Sequence, residues 1–507
     1  MPTYVNDLPY RLPERVDQPG LLVGWSLEAH LKRPPIGFHY GSAIAIPPTG
    51  CLDPVLLQDE GHLMTIAPTG AGKGVGCIIP ALLRHQGPII VIDPKGENVA
   101  ITARQRRQLG QTVVVLDPMN VTGLSQDQFN PLDVIDISRA TAVDEVSALS
   151  QTLVGGASSD PRDVFWRQRA QHLIIGVILD VLQHAYEARL AGHNARADLL
   201  QVRERINDAT ANPKALADAM SASAHPEVMR IANLLRIDAD TTLGGILAFA
   251  QEGVDFMRGD QIQTVLTNST FNVDDITTGA PLSIFLVLPP HMLESHGRLL
   301  RLWIGAMLSA IARRRGRPKH STLLVLDEAA QLGPLAQLRQ AVTLLRGYGV
   351  QTWSFWQDVS QLQQLYPLDW KTMVNNCRVL QCFGALNGVS AEDMADLTGF
   401  KDRDTVLDLR PDEMLLQIAG DNAVIARLPN YLKDPIFSGQ SDPNPYYQSG
   451  GMLLPDRGAP QRLYQRAPQT ASAPKSSDRV VMMPYASVVK DDPFLGRLLK
   501  KWAPPTQ

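Results

Sequence analysis

Lys73 follows a run of small residues suited to one task, the holding of a phosphate. The stretch is His62-Leu-Met-Thr-Ile-Ala-Pro-Thr-Gly-Ala-Gly-Lys-Gly-Val-Gly76. It reads as a buried strand, a tight turn around Gly70 and Gly72, and a helix that Lys73 opens and that runs through Leu83. Small residues let backbone N–H groups approach phosphate oxygens, the helix N-terminus favours an anion, and a lysine neutralises charge. The residues assigned to that contact are Thr69, Gly70, Ala71, Gly72, Lys73, Gly74 and Val75. Against the general pattern G-x-x-x-x-G-K-[ST], Ala67 replaces the first glycine and Gly74 replaces the hydroxyl residue that ordinarily helps hold Mg²⁺. Read alone, the stretch is also compatible with a glycine-rich turn carrying an exposed lysine.

A second signal lies far downstream. Leu323-Leu-Val-Leu-Asp327-Glu328 is an apolar strand that delivers two adjacent carboxylates. One acid can serve a metal and the other can polarise an attacking water. Asp327 is assigned to Mg²⁺ and Glu328 to the water. With the lysine loop, this pair points to an ATP-hydrolysing P-loop enzyme. Arg346 ends the following helix, where it can either reach a neighbouring subunit's γ-phosphate or simply favour a helix C-terminus. Gln357 follows the next strand and is read as a γ-phosphate sensor.

These residues need a scaffold, and the pattern around them supplies one. Pro88–Asp93, Thr112–Asp117, Leu282–Leu288, Ser321–Glu328, Val350–Phe355 and Arg378–Cys382 are short apolar runs joined mostly by helical patterns. That alternation is the mark of a parallel sheet covered on both faces. Asp93 and Asp117 each precede a proline at a strand's carboxyl end, the edge where α/β sheets bind ligands. Lys95 and Glu97 follow Asp93 on the loop that opens the next helix. Between Thr141 and about Phe256 the strand pattern gives way to helices separated by Gly, Asn-Pro and His-Pro breakers. Trp166 and His172 on the long helix Val164–Ala191 read as packing residues.

The expected fold class is therefore α/β, a P-loop NTPase core with an inserted all-α domain. Its domains are an irregular arm (1–60, with short strands near 43–46 and 54–58), the nucleotide-binding domain in two segments (61–140 and 257–447), the all-α domain (141–256) and a tail (448–507). The tail is rich in Gly, Pro, Gln, Ser and Ala up to about residue 480, then regains hydrophobics with interspersed Lys and Arg. From Arg457 onward it holds nine Lys/Arg against three Asp/Glu, or +6 within a chain of net charge −4. It reads as a flexible linker ending in a possible amphipathic docking element.

Hydrophobic content of 44% and charged content of 19% describe an ordinary globular protein of 507 residues. The longest clean apolar run, about Leu302 to Ala312, is too short to span a bilayer, which takes roughly 18 residues or more. Four cysteines without C-x-x-C spacing fit reduced thiols and no metal cluster. The expectation is a cytoplasmic protein with no transmembrane segment. Arg313, Arg314, Arg315, Arg317 and Lys319 put five bases in seven residues and are candidate nucleic-acid contacts, although the usual meaning of such a cluster is a solvated helix end. Arg104, Arg106 and Arg107 form a second group.

Several motifs together resemble one family, the TraG/TraD-type coupling proteins of type IV secretion and conjugation. They are the loop Ala67–Gly76, Asp93-Pro-Lys-Gly-Glu-Asn98, Phe129-Asn-Pro-Leu-Asp133, Leu326-Asp-Glu-Ala-Ala-Gln-Leu-Gly333 and Asn444-Pro-Tyr-Tyr447. The resemblance covers roughly residues 35–447, and a lysine followed by glycine is similar to the normal form in this branch. It implies a RecA-like P-loop NTPase core with an inserted all-α domain, ATP and Mg²⁺ as cofactors, and ATP-driven recruitment of single-stranded DNA with a relaxase, or of effector proteins, through the all-α domain. It also implies a hexamer at the cytoplasmic base of the secretion channel, peripheral to the inner membrane. The resemblance implies that most relatives carry N-terminal membrane helices, and none is expected from this sequence. Two other functions stay compatible with the residues: a nucleotide-gated adaptor with little turnover, and a DNA translocase unconnected to secretion.

Overall fold

Among the described residues twelve short strands, apolar on both faces where they are central, assemble into one sheet. The computed structural model describes residues 11–27, 37–39, 51–58, 60–124, 126–154, 161–237, 240–400 and 402–447. The strands are β1 (Leu21–Ser26), β2 (Phe38–His39), β3 (Pro54–Leu57), β4 (His62–Ile66), β5 (Ile89–Ile92) and β6 (Thr112–Leu116). The second half supplies β7 (Leu282–Leu286), β8 (Thr322–Leu326), β9 (Val350–Trp356), β10 (Cys377–Cys382), β11 (Glu413–Ile418) and β12 (Val424–Arg427). Their order is β2-β3-β1-β12-β11-β10-β4-β9-β8-β5-β7-β6. From β10 to β6 every pairing is parallel, as the buried apolar runs require. From β10 to β2 every pairing is antiparallel.

The N-terminal region departs from the arm expected of it. The strand expected near 54–58 is β3, and β1 is a second buried strand beside it; together they extend the sheet beyond the hairpin β11–β12. Glycines and prolines masked β1 in the sequence. The expected strand near 43–46 lies outside the described residues, as does the tail 448–507.

A buried polar chain fixes the register beneath the phosphate loop. Trp353 Nε1 donates to Thr65 Oγ1 at 2.8 Å, Thr65 Oγ1 donates to Gln381 Oε1 at 2.8 Å, and Gln381 Nε2 donates to the Val23 carbonyl at 2.7 Å. Each link crosses to another strand, and a slip in any one would leave buried donors or acceptors unpaired, at a cost of about 1–3 kcal/mol each.

The breakers seen between helical patterns begin helices by capping them. Asn212 and His225 each accept a backbone N–H in front of a proline at the first helical position. Helices run from Ala142–Leu153 through Pro161–Leu190 and Asp240–Val254, and continue with Asp260–Thr267 and Asp274–Thr278, past the boundary expected near 256. This insertion shares a continuous apolar core with the sheet's helix Leu293–Ala312. Phe129-Asn-Pro-Leu-Asp133 ties it to that core: fully buried Asn130 donates to Asp133 Oδ1 (3.0 Å) and to the Ala197 carbonyl (2.8 Å), and Trp303 Nε1 donates to the Phe129 carbonyl (3.1 Å).

Candidate nucleotide site

Because β4 and β8 are both parallel to β9, the loops that leave them meet at the same carboxyl edge. The Ala67 N–H donates to the Trp356 carbonyl at 2.9 Å, which holds the start of the loop on β9. Gly70 and Gly72 adopt φ of +83° and +94°, and a Cβ on either would meet nothing. Backbone conformation alone demands glycine there. Gly74 carries no such demand, for it lies within the first helical turn (Gly74–Ile78) with open space beside it. The helix then continues through Ile79–Arg84.

Lys73 is nearly buried. Its Nζ donates to the Ala67 carbonyl at 2.9 Å and lies 3.8 Å from Glu328 Oε1. The other oxygen of Glu328 accepts from Gln357 Nε2 at 2.9 Å. Glu328 sits at φ 59°, ψ 51°, a left-handed conformation that among described non-glycine residues only Asn120 shares in sign of φ. Such a backbone costs on the order of 1 kcal/mol, and strain of this kind gathers at functional sites. Here it turns the carboxylate back toward the loop. Asp327 is pushed up to about 6 by burial and by the neighbouring Glu328 charge. Fully buried Asp93 is pushed up to about 7 by burial, although its Oδ2 accepts from the Val99 N–H at 2.8 Å.

These groups line a cleft of about 920 Å³, with Thr69, Gly70, Gly72, Gly74 and Val75 on one wall and Lys95 and Glu97 on another. Lys95 and Glu97 reach it although β9 and β8 separate β4 from β5. The size suits a nucleotide-sized ligand. Asp117 has a different part: it accepts from Val121 N (3.0 Å), Thr122 N (2.8 Å) and Thr122 Oγ1 (2.8 Å), and so shapes its own loop.

Sequence reasoning missed the wall formed by the segment 428–447. Tyr431, Leu432, Ser441, Asp442, Pro443 and Asn444 line the cleft. The segment is anchored by Asp434, which accepts from Trp25 Nε1 and from Arg427 (both 2.9 Å), by the ion pair Arg104–Asp442 (2.7 Å), and by Tyr446 Oη donating to the Lys95 carbonyl (2.9 Å). The one signal available was Asn444-Pro-Tyr-Tyr447, which was read as a family mark rather than as a cleft wall.

Arg346 stands away from this cleft. It lies in the exposed turn Leu345–Tyr348 that leads into β9, and its charge bears on His62 at the opposite, amino end of β4. The basic cluster divides. Arg314 is buried and its guanidinium donates to the carbonyls of Thr277 (3.0 Å), Ile276 (2.9 Å), Tyr348 (3.0 Å) and Gly349 (3.3 Å) and to Thr322 Oγ1 (2.8 Å). Arg313 pairs with Glu145 at 2.7 Å. Both are structural, whereas Arg315, Arg317 and Lys319 are exposed. In the second group Arg106 is fully buried, donating to Ser283 Oγ (2.9 Å) and the Gly87 carbonyl (2.7 Å). Among the described residues no helix is long and apolar enough to cross a membrane.

Residues 49–401 match the family model described as Type IV secretory system Conjugative DNA transfer. The conjugal transfer protein TraG of Agrobacterium fabrum is 29% identical over 275 residues, covering 53% of this chain and 40% of that protein. An Escherichia coli TraG is 26% identical over 444 residues, covering 75% and 68%. The chain therefore spans well under half of the first relative's length. Plasmid coupling protein TrwB, solved in complex with ADP and Mg²⁺, shares the fold with a TM-score of 0.56 at 16% identity, over 76% of this chain and 88% of TrwB. With a model matched over more than half its length, the chain belongs to the type IV secretory system conjugative DNA transfer family.

Proposed function

We propose that this chain is an ATP-driven coupling protein that delivers single-stranded DNA with its bound relaxase, or effector proteins, to a type IV secretion channel. The observation that carries this reading is the convergence of Lys73, Glu328 and Gln357 on one cleft at the sheet's carboxyl edge. Lys73 and the loop amides from Thr69 to Val75 hold the phosphates. Glu328, held by Gln357, polarises the attacking water, and Gln357 reports whether the γ-phosphate is in place.

Mg²⁺ fits this donor set. Among the described residues no cluster of three or more His, Cys, Asp or Glu could hold a metal alone, but Mg²⁺ commonly takes one or two carboxylates and completes its shell with phosphate oxygens and water. Asp327 is that carboxylate, with the buried Asp93 close enough to feel its charge. The ion would neutralise charge on the phosphates.

Among the described residues the cleft wall carries Lys73 and Lys95 and no arginine. Arg346, outside its own cleft, acts on the nucleotide of a neighbouring copy in a hexameric ring. The ring works at the cytoplasmic face of the inner membrane. ATP binding and steady-state hydrolysis, measured with and without single-stranded DNA, test the reading: Lys73→Ala abolishes both, and its retention of wild-type hydrolysis would overturn it. Gly74 favours a second reading, a nucleotide-gated adaptor, because it removes a hydroxyl from the metal shell. Multiple turnover by the wild-type chain excludes that alternative.

A further inference from the structure

We infer that the first turns of the helix Pro161–Leu190 form a stacking platform for single-stranded nucleic acid, centred on Phe165 and Arg169. The inference rests on the proposed DNA cargo and names where unpaired bases would sit. Phe165 is 43% exposed, an unusual position for so large an apolar ring. The Arg169 guanidinium lies over it, 5.4 Å from the ring centroid. Trp166 meets it edge-on at 5.1 Å and 75°.

The helix cannot rotate to hide this ring. Trp166 lies on Gly245 of the neighbouring helix so closely that a Cβ there would stand 3.0 Å from the indole, and Ala170, Leu173 and Ile174 one and two turns on are fully buried. Anchored on that side, the helix presents Arg162, Phe165, Arg169 and His172 along an adjoining, exposed face, at the spacing of successive turns. A second guanidinium–ring pair lies close by, with Arg167 5.6 Å from the Phe249 centroid. From Arg162 to Arg169 three arginines face one acid, Asp163.

A guanidinium over an exposed ring, within a basic helix turn, matches the two halves of an unpaired nucleotide. The ring offers a sequence-tolerant surface for a base, and the arginine serves the adjoining phosphate. A protein partner would ask for a broader apolar surface than Val164 and Phe165 provide between guanidinium groups. A duplex offers no free base face.

The test uses the full chain and a fluorescent oligo(dT), with a matched abasic oligomer as comparison. Wild type binds oligo(dT) more tightly than the abasic strand. Phe165→Ala weakens oligo(dT) binding about tenfold without changing its salt dependence, and Phe165→Tyr restores it. Arg169→Ala lowers the salt slope by about 0.7. ATP affinity and the thermal unfolding midpoint stay at wild-type values in all three. The inference is overturned if oligo(dT) binding ignores Phe165, if the abasic strand binds equally well, or if Phe165→Ala changes only self-association. Wild type binding neither strand would overturn the DNA cargo as well.

Discussion

The Lys73 ammonium donates to the Ala67 carbonyl at 2.9 Å and stands 3.8 Å from Glu328 Oε1. The phosphate-binding cation and the water-polarising acid thus already face each other, and Gln357 holds the second carboxylate oxygen at 2.9 Å. Glu328→Gln keeps the shape and removes the charge. We expect turnover to fall by about 100-fold or more, while ATP affinity holds or rises because a negative group beside the phosphates is gone. Hydrolysis within a few-fold of wild type would remove Glu328 from its assigned role.

Gly74 is the place where hydroxyl chemistry can be restored. Its helical backbone and the open space beside it admit a side chain without a clash. Gly74→Ser should stabilise the fold by about 0.5 kcal/mol through helix propensity and lower the Mg²⁺ concentration that half-saturates ATP binding. A Mg²⁺ requirement that rises instead would show that the glycine is needed when nucleotide is bound.

The parallel core and its carboxyl-edge motifs were legible because buried strands write themselves as short apolar runs and end in Asp93, Asp117 and Asp327. The strand order was not legible. Crossovers place β9 and β8 between β4 and β5, and nothing local in sequence records such long-range pairing. The strand β1 was obscured by the prolines and glycines around it, whereas β3 falls where a strand was expected near 54–58. Tyr431 and Asn444 were missed as cleft residues because a wall more than 350 positions from Lys73 becomes a neighbour only once the sheet has folded. Charge density misled at Arg313 and Arg314, since sequence shows where a guanidinium is and not how many carbonyls surround it.

Arg314 accordingly separates structure from DNA binding. Its guanidinium serves five acceptors drawn from three segments of chain, and burial holds it down at about 10. Arg314→Ala should cost about 3 kcal/mol or more by stranding those acceptors. Lysine cannot reproduce the planar fork and should restore only part of the loss. Arg315→Ala, at an exposed position, should change stability by less than about 0.5 kcal/mol. Chemical denaturation of the three variants checks the ranking, and a stable Arg314→Ala would return that residue to the list of DNA contacts.

His62 makes stability depend on pH in a window that can be assigned to it. Its ring is buried at the start of β4, and Nδ1 accepts from the Thr352 N–H at 3.1 Å, so the proton of the neutral ring sits on Nε2, which has no hydrogen-bond partner. Burial, with the Arg346 charge beside it, lowers the imidazole from 6.5 to about 4. Above the unfolded value both states are neutral and the residue adds no pH dependence. As pH falls from 6.5 toward 4 the unfolded chain takes up a proton that the folded chain refuses, so stability drops, and below the folded value the loss levels off. The loss amounts to at most about 3 kcal/mol. Asparagine at position 62 offers an acceptor for Thr352 and does not titrate. Urea unfolding at about pH 7.5 and about pH 5 should show wild type losing stability relative to His62→Asn between the two, and an equal loss in both proteins would remove the imidazole as the source.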